Sequence, residues 1–138
     1  MKKTRVAGQS TVEFLIIGAA FFMTMFAIIE LAAAVATYNS ISYAAREAAR
    51  FAIANGPNSP NPASTAAIQQ VAQNALVGVN LSTPGPTPTI SVTWSPDPNL
   101  SPLQDVTVTV SYPYTLTLPF IKTSTFTITS TSQMLSYQ

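Results

Sequence analysis

Two carboxylates lie at unusual places in this 138-residue chain. Glu13 directly precedes a long apolar run that begins at Phe14, and Glu30 interrupts the same run. A charge at the edge of a membrane segment, or inside one, is costly and is a functional-site hypothesis by default. The chemistry that these acids offer is ionic, because each could pair with a cationic group when several such chains pack side by side.

The residue types give little support to an enzyme. The chain has no histidine and no cysteine, which removes the commonest general base and the thiolate chemistry. The only lysine outside the amino-terminal leader is Lys122, and the five acidic residues are scattered. We predict no catalytic activity, no cofactor and no metal site. The net charge of +1 also offers no basic surface for nucleic acid.

The distribution of charge is typical of a membrane or assembly protein. Charged residues make up 8% of the chain, against about 25% in an ordinary soluble domain. Lys2, Lys3 and Arg5 precede the apolar run, and no further cation follows until Arg46. The positive-inside rule therefore predicts a cytoplasmic amino terminus, with the rest of the chain exported.

A single long helix must position these charges. The apolar stretch 14–36 exceeds the length of about 20 residues that crosses a bilayer. The helical pattern continues through 37–55, where small apolar side chains recur at helical spacing on one face: Ile41, Ala44, Ala45, Ala48, Ala49 and Ala52. We predict one helix from Gln9 or Ser10 to Asn55, about 65 Å long, which ends at Gly56.

The second half of the chain predicts a smaller domain. Ser64 or Thr65 can cap a short helix that runs through Leu76. Beyond a proline-rich segment the period changes to two, and alternating apolar residues predict three or four antiparallel strands with one apolar face. The expected organisation is a basic leader (1–8), a long helix (9–55, membrane part about 14–36) and an extracytoplasmic domain (56–138, helix about 64–77, strands about 89–132) of α+β class.

The opening Gly8-Gln9-Ser10-Thr11-Val12-Glu13, with a basic leader before it and an apolar helix after it, resembles the processing site of the type IV pilin superfamily. In that superfamily a membrane-embedded prepilin peptidase cuts after the glycine, and the glutamate becomes the fifth residue of the mature chain. The resemblance implies cleavage between Gly8 and Gln9. The new α-amino group could pair with Glu13 of the same or a neighbouring subunit and set the packing register.

Three segments together resemble the TadE-like family, which comprises pilin-like proteins of tight-adherence (Tad, or Flp) pilus systems. They are GQSTVEF, then IIEL, then YNSISYAAREAARFA, and they lie within residues 7–54. Family members share a GQ-x-x-VEF opening, an apolar stretch that ends in I-E-F/L, and an A-A-R-x-x-A-R-x-A helix. Ala48 stands where glycine is common in the family.

The resemblance implies a structural subunit, major or minor, of a Tad pilus. Such subunits sit in the bacterial inner membrane, are extracted by a cytoplasmic ATPase, and pack their helices into a filament at the cell surface. The implied partners are further copies or other pilins, the prepilin peptidase, the inner-membrane assembly platform and the membrane itself.

Four charged residues are candidates for assembly: Glu13, Glu30, Arg46 and Arg50. Glu13 could instead interact with the helix dipole at the membrane surface, and Glu30 could reach water at the outer interface. In the assembly hypothesis Glu30 pairs with Arg46 or Arg50 of a neighbouring helix, which requires an axial offset of about 24 Å.

Two other classes of protein remain open. In one, signal peptidase cuts after Ala34-Val35-Ala36 and releases a soluble β domain. In the other, the chain is an uncleaved single-pass component of the assembly machinery. The mature amino terminus distinguishes the three classes.

Overall fold

A computed structural model describes residues 8–56, 59–79, 86–95, 104–119 and 121–136 of the chain. Lys2, Lys3 and Arg5 lie outside these residues. The cytoplasmic amino terminus predicted from these three cations therefore stays a prediction. The described residues form two helices and three strands: α1 (Gln9–Ala54), α2 (Thr65–Ala75), β1 (Thr89–Ser95), β2 (Gln104–Leu116) and β3 (Ser124–Ser136). The predicted α+β class is confirmed.

Helix α1 is 46 residues long and contains no proline and one glycine, Gly18. Frequent alanine favours the helix, which at a rise of 1.5 Å per residue is about 69 Å long. The helix ends at Asn55, whose backbone N–H and side-chain Nδ2 each donate to the Phe51 carbonyl oxygen at 3.1 Å. Asn55 thereby occupies a carbonyl group that has no partner within the helix.

Only the carboxyl-terminal part of α1 belongs to the core. The six residues of the predicted small face are fully buried: Ile41, Ala44, Ala45, Ala48, Ala49 and Ala52. They recur every three or four residues, so they form a single stripe along the helix. Because most of them are alanine, the other elements pack close to the helix axis.

The sheet has the order β1-β2-β3, and both pairings are antiparallel. The central strand β2 fully buries Val106, Val108 and Val110 against the helices. On the outer face, threonine and serine side chains bond across strands, with 3.0 Å between the hydroxyl oxygens of Thr109 and Thr131. The alternation predicted from the sequence therefore separates an apolar inner face from a hydroxyl-rich outer face.

Helix α2 covers the rest of the core beside β1. The Ser64 hydroxyl caps this helix by accepting from the Ala67 N–H at 3.2 Å. Ile68, Ala72 and Leu76 are buried. The Gln69 side chain donates to the carbonyl oxygen of Ile90 at 2.9 Å, which ties α2 to the first strand.

Enlarging a buried alanine tests the close packing of α1 on the sheet. Ala45→Leu should lower the free energy of unfolding by about 1–3 kcal/mol, because a fully buried alanine leaves no room for three more carbons. Ala54→Leu, on the exposed side of the last turn, should change it by less than about 0.5 kcal/mol. Urea unfolding of the full chain in detergent micelles, followed by fluorescence of the single tryptophan Trp94, measures both values. Equal effects of the two substitutions would contradict this packing.

Candidate functional site

The amino-terminal half of α1 is an uncovered apolar surface. Phe14 is 74% exposed and Ile17 is 68% exposed, and among the described residues α1 is the one helix long and apolar enough to cross a membrane. The hydroxyl of Thr24 donates to the Ala20 carbonyl oxygen at 2.9 Å, so this polar group is satisfied inside the helix. The surface suits lipid or the apolar helices of other subunits, and it is poorly suited to water.

Glu13 lies near the start of this surface with its side chain exposed. The Val12 N–H donates to the Gly8 carbonyl oxygen at 3.2 Å, so the Gly8–Gln9 peptide bond lies at the first turn of α1. Residues four apart in a helix share a face. An amino group on Gln9 would therefore lie on the same face as the Glu13 carboxylate, about 6 Å away along the axis.

Glu30 has partners within its own chain. The backbone N–H of Thr117, which follows β2, donates to Oε1 of Glu30 at 3.1 Å. The Tyr114 hydroxyl lies 3.3 Å from the same oxygen and 3.4 Å from the Glu30 backbone carbonyl oxygen. The side chain of Glu30 is thus half-buried where the end of the β-sheet meets α1.

The surroundings of Tyr114 favour the protonated form of its hydroxyl. Burial raises the pKa of this phenol above its usual value, and the negative charge of Glu30, the hydrogen bond to Glu30 and the nearby Tyr112 raise the pKa further. A protonated phenol can donate, which is what an ionised carboxylate requires. The ring of Tyr114 also contacts that of Phe126, with 5.4 Å between the centroids.

Arg46 and Arg50 lie on the exposed side of α1, opposite the buried alanine stripe. Nε of Arg46 donates to the Ser42 carbonyl oxygen at 3.1 Å. Glu30 and Arg46 are about 24 Å apart along one helix, so they do not meet within the chain. The structure therefore unites Glu30 with Tyr114 and Thr117 and leaves Glu13, Arg46 and Arg50 on exposed helix surface.

The connection between β2 and β3 lies beside the apolar part of α1. Leu118, Pro119 and Ile121, here called the hairpin tip, form an open apolar cleft of about 270 Å³ with Met23, Thr24 and Ala27. The sequence did not predict this contact, because an alternating strand pattern does not say where the end of a hairpin lies relative to a helix more than 80 residues earlier.

Tyr114 and Thr117 contact Glu30 in the candidate site, and the sequence analysis did not identify either of them. Tyr114 follows a proline near the end of an alternating run, and Thr117 contributes only a backbone N–H. A backbone donor leaves no signal in the residue type. Across the described part of the chain, no three acidic residues come together as a metal site.

The amino-terminal part of the chain is recognisable by comparison with known proteins. A family model described as TadE-like protein matches residues 8–50, which confirms the resemblance drawn from the three opening segments. The match includes Gly8 and all four candidate assembly residues. It associates the chain with the Tad pilus system, in which TadE-like proteins form a structural family. No curated protein and no solved structure matches the chain.

Substitution of Glu30 tests the contact with the hairpin. Glu30→Ala removes the acceptor for the Thr117 N–H, so hydrogen exchange of that amide should accelerate about tenfold, the equivalent of about 1.4 kcal/mol. Glu30→Gln retains an oxygen acceptor and should accelerate exchange less than about threefold. NMR hydrogen exchange of the full chain in micelles gives both rates. If exchange at Thr117 is unchanged in Glu30→Ala, the contact is absent in solution.

Proposed function

We propose that this chain, a Tad pilus-associated protein with a TadE-like first helix, is a structural subunit that assembles through α1 into a surface filament. The observation that carries the proposal is the uncovered apolar half of α1 with a carboxylate at its beginning. A continuous helix joins this half to a folded domain, so the helix can pack among other helices while the domain remains outside.

The covering of α1 changes during the proposed assembly. Lipid covers the apolar half while the subunit is in the inner membrane. The length and apolar character of α1 fit such a membrane-spanning position. Helices of other subunits cover it in the filament. Gly18, Ala19, Ala20 and Ala27 present little side-chain bulk, which favours close approach of a neighbouring helix.

Glu13 and the processing site Gly8–Gln9 act together in this proposal. Cleavage by prepilin peptidase creates a cationic amino group on Gln9, on the same helix face as the Glu13 carboxylate. In a filament core the two charges offset part of each other's loss of hydration. A subunit packed out of register leaves a charge unpaired and buried, so the pair selects the correct register more than it adds stability.

Glu30, Arg46 and Arg50 form the second part of the proposed assembly surface. Both described bonds to the Glu30 side chain use Oε1, so Oε2 can accept from the guanidinium of a neighbouring subunit. An axial offset of about 24 Å brings Arg46 of one subunit to the level of Glu30 in another, and about 30 Å does so for Arg50. The proposed partners are other copies or other pilins, with the assembly platform in the inner membrane.

An uncleaved single-pass component of the assembly machinery is the second candidate, since it would use the same membrane helix. The structure gives less support to a soluble domain released after Ala36. That cut would separate Glu30 from Tyr114 and Thr117, and it would interrupt a helix that runs without a break into the core.

The mature amino terminus distinguishes these candidates. Amino-terminal sequencing of protein purified from cells should begin at Gln9 for a processed pilin. A start at Met1 would identify an uncleaved anchor, and a start at Thr37 would identify a secreted domain.

Removal of the acid at the start of α1 tests the assembly role. Glu13→Ala should insert into the membrane normally and lower incorporation into filaments at least tenfold, because breaking a buried ion pair costs about 3–5 kcal/mol. Thr11→Ala, at another exposed position on the same turn, is the matched control and should assemble normally. Immunoblots of membranes and of sheared filaments measure the two quantities. Normal filament yield from Glu13→Ala would count against the assembly role.

A further inference from the structure

The length of α1 below the hairpin tip is shorter than a bilayer. The tip reaches the level of Met23, with which it lines the open cleft, and only about 15 Å of helix axis separates Glu13 from Met23. The hydrocarbon core of a bilayer is about 30 Å thick. With Glu13 at the inner boundary of the membrane, the contact between the hairpin tip and α1 therefore lies at the depth of the outer leaflet.

The hairpin tip has the composition that such a depth requires. Leu118, Pro119 and Ile121 are uncharged and apolar, and their neighbours on α1 are Met23, Thr24 and Ala27. Ile121 is 51% exposed although it borders this cleft, so much of its side chain faces away from the protein. An apolar side chain directed outward next to a membrane helix continues the apolar surface of that helix.

We propose that the hairpin tip inserts into the outer leaflet beside α1 and contacts lipid acyl chains. Within a bilayer, backbone polar groups must find partners inside the protein. The Thr117 N–H donates to Glu30, the Ile121 N–H donates to the Leu118 carbonyl oxygen at 3.4 Å, and Pro119 has no N–H to satisfy. Two backbone N–H groups in or beside the tip therefore already have acceptors inside the protein.

The same insertion gives Glu30 a reason for its place inside the apolar run. Glu30 lies about 26 Å from Glu13 along the axis, just inside the outer boundary of a core about 30 Å thick. A carboxylate at that depth requires donors from the protein, and the Thr117 N–H and Tyr114 hydroxyl supply them. The hairpin therefore carries into the membrane the two donors that the Glu30 carboxylate needs.

Residues around the tip suit the boundary between lipid and water. Tyr114 lies above the tip on β2, and tyrosine is enriched at membrane interfaces. Lys122 follows Ile121 directly and is exposed, and a lysine can carry its charge toward the interface while its methylene groups stay in the hydrocarbon. Lipid is the occupant that these features favour, because the apolar side chains of the tip continue the membrane surface of α1.

The absence of cysteine permits a depth measurement with single-cysteine variants of the full chain. Ile121→Cys reports the tip, Ala20→Cys reports the membrane part of α1, and Ala66→Cys reports the exposed side of α2. Each protein is reconstituted at low density in vesicles of phosphatidylethanolamine and phosphatidylglycerol. A membrane-impermeant maleimide measures access from water, and quenching of an attached NBD fluorophore by doxyl-labelled lipid measures access from the acyl chains.

If the tip is inserted, Ile121→Cys reacts with the maleimide at least tenfold more slowly than Ala66→Cys, and doxyl lipid quenches its fluorophore as it does that of Ala20→Cys. The proposal is overturned if Ile121→Cys reacts as fast as Ala66→Cys. Protection of Ile121→Cys that appears only in assembled filaments would overturn it as well, because a neighbouring subunit would then be the occupant. Rapid labelling of Ala20→Cys would show that α1 is not in the bilayer and would remove the basis of the proposal.

This result is separable from the proposed filament role. Depth is measured on dispersed subunits, whereas incorporation of Glu13→Ala is measured on filaments. A tip in water together with a Glu13-dependent filament would reject the insertion alone. An inserted tip together with normal assembly of Glu13→Ala would reject the assembly role alone.

Discussion

The structure depends on one constraint: a single unbroken helix has to satisfy two different surroundings. From Ile41 to Ala52 one face of α1 is buried under the sheet and α2, while the opposite face carries Arg46 and Arg50 to the solvent. Between Phe14 and Ile29 the same helix carries no charge, and its large apolar side chains are exposed. Apolar surface of this extent is stable only in lipid or against other helices, so the chain by itself is an incomplete structure.

Glu30 lies at the boundary between the apolar part of α1 and the part that packs against the folded domain. An unpaired carboxylate at this position would be costly in the membrane and of little consequence outside it. The folded domain offsets part of that cost, because a backbone N–H and a tyrosine hydroxyl at the end of β2 donate hydrogen bonds to Oε1 of Glu30. The packing of the same hairpin on α1 places Leu118, Pro119 and Ile121 beside the apolar helix below Glu30. In the proposed membrane arrangement, Glu30 therefore links the position of the folded domain to the depth of α1.

Small side chains serve two purposes along α1. In the core, alanines bring the sheet within reach of the helix, so that Ser42 of α1 and Ser130 of β3 bond across the interface at 3.0 Å. In the apolar half, Gly18 and Ala20 remain on the surface. There they allow the close helix contacts that the proposed filament needs. Small side chains thus allow close packing within the monomer and would allow it between subunits in the proposed filament.

Much of the fold follows from local patterns in the sequence. The long helix, its buried alanine face, the Ser64 cap and the alternating strands were predicted, because each depends on residues that are near neighbours in the chain. The unusual charged residues were also visible, since a carboxylate beside an apolar run is rare in any fold, whereas the Gly8–Gln9 processing site stays a prediction from the family resemblance. The Tyr114, Thr117 and Glu30 contact was not predictable, because a backbone donor has no signature in residue type and its acceptor lies 87 residues away. The height of the hairpin on α1 likewise depends on how the sheet packs over the helix. Periodicity determines which side of an element is apolar, but only the three-dimensional packing decides which part of another element covers it.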